Sequence, residues 1–259
     1  MNKKIKKILK KKNKSKIICL TAYSKNIASI LDKHCDIVLV GDSLGSVLYN
    51  YKSTKEVTLN NMINHSKSVK LGLKKALMVV DMPYKTYRNP REALKNTKLV
   101  LKETKCDAVK LEGGKKIIPI IKTLIKNKIP VMGHIGILPQ TDKKFFFKGR
   151  KQTEKNKIIN DAILLQKAGA FSIVLECIEK KLSKELTKNL KIPTIGIGAS
   201  VNCDGQVLVT DDLLGLTNQN FRFVKKYINL KKIINKSINQ FKTEVLNEKF
   251  PTDKHSFKL

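Results

Sequence analysis

The chain has no tryptophan, and its five cysteines, Cys19, Cys35, Cys106, Cys177 and Cys203, include no CxxC pair. A scattered, odd set of this kind argues against structural zinc and against a disulfide framework. Four of the five lie in or beside apolar runs, where a free cysteine is usually a small buried hydrophobe. Long apolar runs are missing as well: none reaches the roughly 18 residues that a membrane-crossing helix needs. The basic start, Met1 to Lys16, is followed only by Ile17 to Ala22, too short for the apolar core of a signal peptide. A cytoplasmic protein with no membrane partner is the expectation. Acids are scarce, 21 Asp and Glu against 53 Lys and Arg, for a net charge of +32. Such an excess often marks a nucleic-acid binder. Here arginine is scarce too, and the lysines are spread along the chain among many Asn and Ile. That mixture is what an AT-rich coding sequence gives without a polyanionic partner, so no specific nucleic acid is expected. The densest block, Lys3 to Lys16, reads as a solvated helix face or a frayed terminus.

What is present is an alternation. Apolar residues make up 41% of 259, enough for a substantial core, and a length near 250 suits a single α/β barrel. Strand candidates are Ile17–Ala22, Ile37–Val40, Leu77–Asp81, Ala108–Glu112, Val131–Ile135, Ser172–Glu176, Thr194–Ile197 and Gln206–Val209. Helix candidates lie between them: Lys25–His34, Leu59–Lys74, Pro90–Lys105, Lys116–Asn127, Asn156–Ala168 and Lys180–Asn189. A long one, Phe221–Leu246, follows. Strands alternating with helices imply right-handed βαβ units and a parallel sheet. Eight strands suggest a closed barrel, although the seventh crossover is short. No linker, repeat or low-complexity segment divides the chain, so one domain over residues 1–259 is expected.

Several strand candidates end in an acid. Ile37–Val40 and Gly41 run into Asp42-Ser43, Leu77–Val80 into Asp81, Ala108–Leu111 into Glu112, and Ser172–Leu175 into Glu176. The C-terminal strand ends of a βα barrel meet at one mouth, where catalytic groups sit. Four carboxylates in one pocket repel, and a bound cation relieves that; all-oxygen ligands favour Mg²⁺ over zinc. Lys110 and Glu112 are two residues apart on a strand, so both face inward if either does. Asp42 or Asp81 alone could be a helix N-cap, whereas Glu112 and Glu176 are poor N-caps and a lysine inside an apolar strand needs a partner. His65 reads as structural. His134, between Gly133 and Gly136 at a strand end, is open to either a structural or a functional reading.

At these residues the chain resembles the ketopantoate hydroxymethyltransferases over nearly its whole length. The matching segments include Leu39-Val40-Gly41-Asp42-Ser43-Leu44-Gly45, Asp81-Met82-Pro83-Tyr84, Val109-Lys110-Leu111-Glu112-Gly113-Gly114, Pro130–Gly136, Leu175-Glu176-Cys177, Pro193–Ala199 and Cys203–Val209. The resemblance implies a (β/α)₈ TIM barrel of the phosphoenolpyruvate/pyruvate type with an extra N-terminal helix over Asn2–Lys12. It implies Mg²⁺ on Asp42, Asp81 and Glu112, substrate contacts from Asp42, Ser43, Asp81 and Lys110, and Glu176 as the catalytic base. It also implies a cytoplasmic homo-oligomer, typically a decamer. The family departs from this chain at Asn50, where Gly is usual, at Leu138, over Lys143–Lys148, at Ser200 and at Asp211; no metal ligand and no base is lost.

The implied reaction transfers a hydroxymethyl group from 5,10-methylenetetrahydrofolate to 3-methyl-2-oxobutanoate through a Mg²⁺-stabilised enolate, giving 2-dehydropantoate for pantothenate synthesis. Competing readings are another barrel that makes enolates of 2-oxo acids, such as a phosphoenolpyruvate–pyruvate-type lyase, a basic nucleic-acid binder, and a catalytically dead scaffold. The intact acids and Lys110 argue against the last.

Overall fold

Alternate residues of a strand face opposite sides of a sheet, and this sorts the whole barrel. The computed structural model describes residues 2–142 and 146–257, so part of the Lys143–Lys148 stretch lies outside the described residues. Eight parallel strands close in sequence order: β1 (Ile17–Thr21), β2 (Ile37–Val40), β3 (Leu77–Asp81), β4 (Ala108–Glu112), β5 (Val131–Gly136), β6 (Ser172–Glu176), β7 (Thr194–Ile197) and β8 (Gly205–Leu208). The circle closes where β8 pairs with β1, Val207 opposite Cys19. The expected eight-stranded α/β barrel is therefore the fold.

One set of strand residues forms an inner cluster: Ile17 and Cys19, Ile37 and Leu39, Leu77 and Val79, Ala108, Met132, Val174, Ile195 and Val207. The alternate set, including Val38, Val40, Val80, Val109, Leu111, Ile173 and Leu175, packs with helix residues such as Val69, Val100, Leu124 and Leu165. Those helices are α2 (Lys25–Leu31), α3 (Leu44–Leu48), α4 (Leu59–Gly72), α5 (Pro90–Thr104), α6 (Ile118–Lys126), α7 (Gln152–Lys167) and α8 (Lys180–Asn189). Local sequence sets their starts. Thr58 and Asn61 make a reciprocal capping box on α4, and Asn89 caps α5 ahead of Pro90, where a missing N–H costs nothing. The helix α7 begins before the expected Asn156 because the Glu154 carboxylate reaches back to the N–H groups of Gly149 and Arg150.

The basic N-terminal block is a docked helix, α1 (Lys3–Lys10), capped by Asn2. Its Ile5 and Ile8 join the inner cluster. Lys4 within it, and Lys11 and Lys12 just after it, pair with acids that immediately precede strands, Lys4 with Asp107, Lys11 with Asp36 and Lys12 with Asp204. The N-terminal end of the barrel is thereby closed, and the expectation of a frayed terminus is corrected: the apolar stripe and these acids hold the block down.

By its contacts the chain divides into a unit that ends at Val209 and a unit that starts at Thr210. The first contains the entire barrel. The second contains α9 (Thr210–Leu213) and α10 (Leu230–Leu246). Residues 221–229 are not helical as expected. They are rich in aromatic and β-branched residues, which fit a helix poorly; Phe221 stacks on Phe223 at 5.4 Å, and Asn229 caps α10 through the N–H of Lys232. Asn50 has φ of 55°, so the usual glycine is replaced by the residue type that best tolerates that left-handed conformation.

Candidate active site

The strand register sets the polar residues side by side. Asp81 ends β3 opposite Lys110 of β4. Glu112 ends β4 opposite His134 of β5, and Gly136 lies opposite Glu176 at the end of β6. Lys110 and Glu112 are both buried on the inward side, as their two-residue spacing requires, while Val109 and Leu111 face the helix layer. The apolar part of the interior lies toward the strand starts, so these charged groups form its floor at the C-terminal mouth.

Lys110 Nζ lies 2.7 Å from Asp81 Oδ1, although this oxygen has no donor aligned as a hydrogen bond. The other oxygen of Asp81 accepts the backbone N–H of Asp42 at 3.1 Å. Thus Asp42, on the loop after β2, is drawn to Asp81. Neither acid acts as a helix cap: the N-cap of α3 is Ser43, whose side chain makes no capping bond. Ser43 Oγ is instead 2.8 Å from the Tyr23 hydroxyl. His65 supports that region, with Nδ1 at 2.8 Å from the Tyr23 carbonyl and Nε2 at 2.9 Å from the Tyr49 hydroxyl. It is structural, as expected.

His134 stands between two acids, Nδ1 3.3 Å from Glu112 Oε1 and Nε2 3.2 Å from Glu176 Oε2. Both distances are ion-pair contacts rather than aligned hydrogen bonds. Burial and the Lys110 charge push this imidazole down, but Glu112 and Glu176 outweigh them and raise it to about 9. His134 thus bridges the two acids at the centre of the site. In Glu112, burial pushes the carboxyl up, and the charges of His134 and Lys110 outweigh it and hold the carboxyl low. In Lys110, burial is overcome by Asp81, Glu112 and Asp42, which keep the ammonium charged. Asp42 is the group left in conflict. Burial first, then the charges of Asp81 and Glu112, push its carboxyl well above the usual range.

Two residues of this site carried no signal in the strand-end pattern. Gln140 is 1% exposed and ties three elements together. Its Nε2 donates to Asp42 Oδ2 at 2.8 Å and to the Met82 carbonyl at 3.0 Å, while its N–H donates to Glu112 Oε2 at 3.1 Å. The Tyr87 hydroxyl donates in turn to Gln140 Oε1. Both residues sit in loops, where periodicity is silent; only the Pro139-Gln140 pair after β5 could have pointed to the first.

The donor set fits a hard divalent cation. Four acids, Asp42, Asp81, Glu112 and Glu176, face two basic groups, Lys110 and His134, so acids outnumber bases. Asp42 is destabilised in its ionised form, and Asp81 keeps a buried oxygen without an aligned donor. Among the described residues no three His, Cys, Asp or Glu side chains form a ready cage. Mg²⁺ commonly keeps several waters and is held by one or two carboxylates plus substrate oxygens.

A sequence profile of the ketopantoate hydroxymethyltransferases matches residues 2–253. The chain belongs to the ketopantoate hydroxymethyltransferase family. A 3-methyl-2-oxobutanoate hydroxymethyltransferase of Pelagibacter ubique (strain HTCC1062) is 66% identical over 99% of this chain and all of its own length. Its namesake from Anaplasma marginale (strain St. Maries) is 46% identical over 95% of this chain and 90% of its own. Among solved structures, a phosphonopyruvate hydrolase in complex with oxalate and Mg²⁺ overlays with a TM-score of 0.64 at 8% identity, covering 97% of this chain and 93% of its own. A 2,3-dimethylmalate lyase of the PEP mutase/isocitrate lyase superfamily gives 0.61 at 12% identity, over 99% and 93%. At such identities the likeness is one of fold alone. Among the described residues no helix is long and apolar enough to cross a membrane.

Proposed function

We propose that this site moves a hydroxymethyl group from 5,10-methylenetetrahydrofolate to 3-methyl-2-oxobutanoate, giving 2-dehydropantoate and tetrahydrofolate, and that it does so in the cytoplasm. The observation that carries the reading is the division of the mouth into two halves. On one side Lys110, Asp81 and Asp42 lie together; on the other, Glu176 is held beside His134 at 3.2 Å. The first half suits the carboxylate and keto oxygens of a 2-oxo acid, and the second suits removal of the neighbouring proton.

Asp42 and Asp81 would hold Mg²⁺, with Glu112 bound directly or through water. The ion would supply Lewis-acid polarisation of the substrate ketone. Lys110, kept charged by its acids, offsets negative charge as it grows on the keto oxygen. Ser43 and Asp81 orient the substrate. The Glu176 carboxylate takes the proton from C3, and His134 fixes its position. The C3 carbon then bonds to the methylene carbon of the folate, the carbon–nitrogen bonds to that methylene are broken, and water supplies the hydroxyl oxygen.

A homo-oligomer, decameric as in the resemblance, accords with α10. Its Ile234, Ile238, Phe241 and Val245 are exposed and recur at spacings of four, three and four, the stripe by which one helix packs on another. The test of the reaction is direct. Purified protein, 3-methyl-2-oxobutanoate and methylenetetrahydrofolate should give 2-dehydropantoate with Mg²⁺ and little after chelation; no product under any of these conditions would end the proposal.

A further inference from the structure

A strand that continues keeps alternating its side chains between two faces, and the chain after β6 does not. Ile173 and Leu175 pack in the helix layer, Val174 lies in the inner cluster, and Glu176 reaches His134 across the mouth. Alternation would return Ile178 to the face of Glu176, above its carboxylate. Ile178 is instead buried in the helix layer. Between them Cys177 has φ of 49°, a left-handed conformation that L side chains seldom adopt. Seven non-glycine residues among those described have a positive φ. Six of them, Asn13, Asn50, Lys85, Lys105, Lys128 and Glu248, are exposed, whereas Cys177 is buried. A strained turn inside the protein, one residue after the proposed base, persists only where its surroundings hold it.

The surroundings do hold it. The Ile137 N–H donates to the Glu176 carbonyl at 2.9 Å, and the Cys177 N–H donates to the Ile197 carbonyl at 2.8 Å. The Lys148 N–H donates to the Cys177 carbonyl at 2.7 Å, and the Glu179 N–H returns to the Lys148 carbonyl at 2.9 Å. The Ser183 hydroxyl donates to the Ile178 carbonyl at 3.2 Å. The turn is thus tied to the end of β7, to the start of α8 and to two points of the chain after β5. Gly136 presses on it as well: a Cβ there would lie 2.1 Å from the Glu176 carbonyl oxygen. The thiol itself is inert, because burial and the Glu176 charge push it up to about 12; it fills space as a neutral group. The consequence shows in exposure. The Glu176 side chain is 13% exposed, against 3% for those of Asp81 and Glu112.

We propose that the left-handed turn at Cys177 positions the base: it sends the chain outward one residue after Glu176, so that the carboxylate stays fixed beside His134 with open space above it for C3 of the 2-oxo acid. Cys177 is a positioning residue that acts through Glu176, and what the position demands is a small side chain without a branch at Cβ. The inference rests on the proposed role of Glu176 and adds to it the backbone feature that aims that carboxylate.

The experiment follows exchange of the C3 proton of 3-methyl-2-oxobutanoate with deuterated water, without folate and at saturating Mg²⁺. Calorimetric substrate binding is measured in parallel, in wild type, Cys177→Ala, Cys177→Gly, Cys177→Val, Gly136→Ala and Glu176→Gln. Alanine and glycine keep the turn and should restore exchange to near the wild-type rate. A branched Cβ is an outlier at this φ, so valine must displace the turn. A misplacement of about 1 Å costs about 10²-fold, and exchange by Cys177→Val should fall by about 10- to 100-fold. The substrate Kd, set across the mouth by Lys110, Asp81 and Asp42, should stay at the wild-type value. Gly136→Ala pushes on the same turn from β5 and should show the same split of rate from binding; it decides the matter if the valine variant does not fold. Wild-type exchange in the folded variant, or a loss of binding equal to the loss of rate, overturns the inference. Slow exchange in Cys177→Ala overturns it too, because the thiol and not the turn would then carry the effect. Wild-type exchange in Glu176→Gln overturns the proposed base, and the inference with it.

Discussion

Gln140→Leu isolates the residue that holds the two sides of the floor together. Leucine keeps much of the volume, and the backbone N–H to Glu112 survives. Lost are the 2.8 Å donor to Asp42, the donor to the Met82 carbonyl and the acceptor for Tyr87, whose hydroxyl is otherwise only 3.5 Å from the Glu112 carbonyl. The Gln140 amide is one of the few groups that favour the ionised form of Asp42; burial, Asp81 and Glu112 all oppose it. A hydrogen bond to a charged group contributes about 1.5–3 kcal/mol. Its removal pushes the Asp42 carboxyl further up, and about 1.4 kcal/mol corresponds to a tenfold change in an equilibrium. A metal must compete with that proton, so apparent Mg²⁺ affinity at a given pH should fall by about ten- to a hundredfold wherever Asp42 is protonated. Calorimetric titration of MgCl₂ in the presence of 3-methyl-2-oxobutanoate, repeated across pH, reads this directly. The loss should shrink as pH rises. Wild-type affinity at every pH would refute the tuning role of Gln140, and an equal loss at every pH would show that Asp42 protonation is not the route.

The remaining predictions concern stability. Lys12→Met leaves the buried Asp204 without its cation and should cost about 3–5 kcal/mol, read by urea unfolding; a change under 1 kcal/mol would show that α1 is not held by this pair. For the metal-free protein, charged His134 stabilises the fold fully below its ordinary value near about 6.5, and this is lost as pH rises through about 9. The raised Asp42 carboxyl acts in the same direction, because its ionisation in the folded state is disfavoured. Melting temperature should therefore fall between these pH values, and His134→Gln should flatten the fall; a rise would contradict the assignment. Gly114→Ala drives a Cβ into the Asp161 carboxylate and should cost about 1–3 kcal/mol, visible as a lower melting temperature, whereas an unchanged value would show that the loop gives way freely.

The barrel and most of its mouth were legible because both follow from short-range rules. A period of two placed Lys110 and Glu112 inward together, and acids after apolar runs marked the strand ends of β3, β4 and β6. The roles of His134, Gln140 and Tyr87 were not legible in the same way. His134 meets its partners Glu112 and Glu176 only in the fold, since they lie 22 residues before and 42 residues after it. Gln140 and Tyr87 act from loops, where no repeating pattern distinguishes a positioned side chain from a solvated one. The Lys-rich start was legible in part, its helix expected but not its docking: Lys4, Lys11 and Lys12 look solvated until the strand order brings Asp107, Asp36 and Asp204 beneath them.

The central claim is that Glu176 takes the C3 proton of the 2-oxo acid. The direct test is exchange of that proton with deuterated water, followed by NMR without folate at saturating Mg²⁺, in wild type and Glu176→Gln. The glutamine keeps the shape and the proximity to His134 but removes the basicity. The account predicts that substrate and Mg²⁺ still bind while exchange slows by about 10²–10⁴-fold. Exchange at the wild-type rate would contradict it and shift the role of base to another group at the floor.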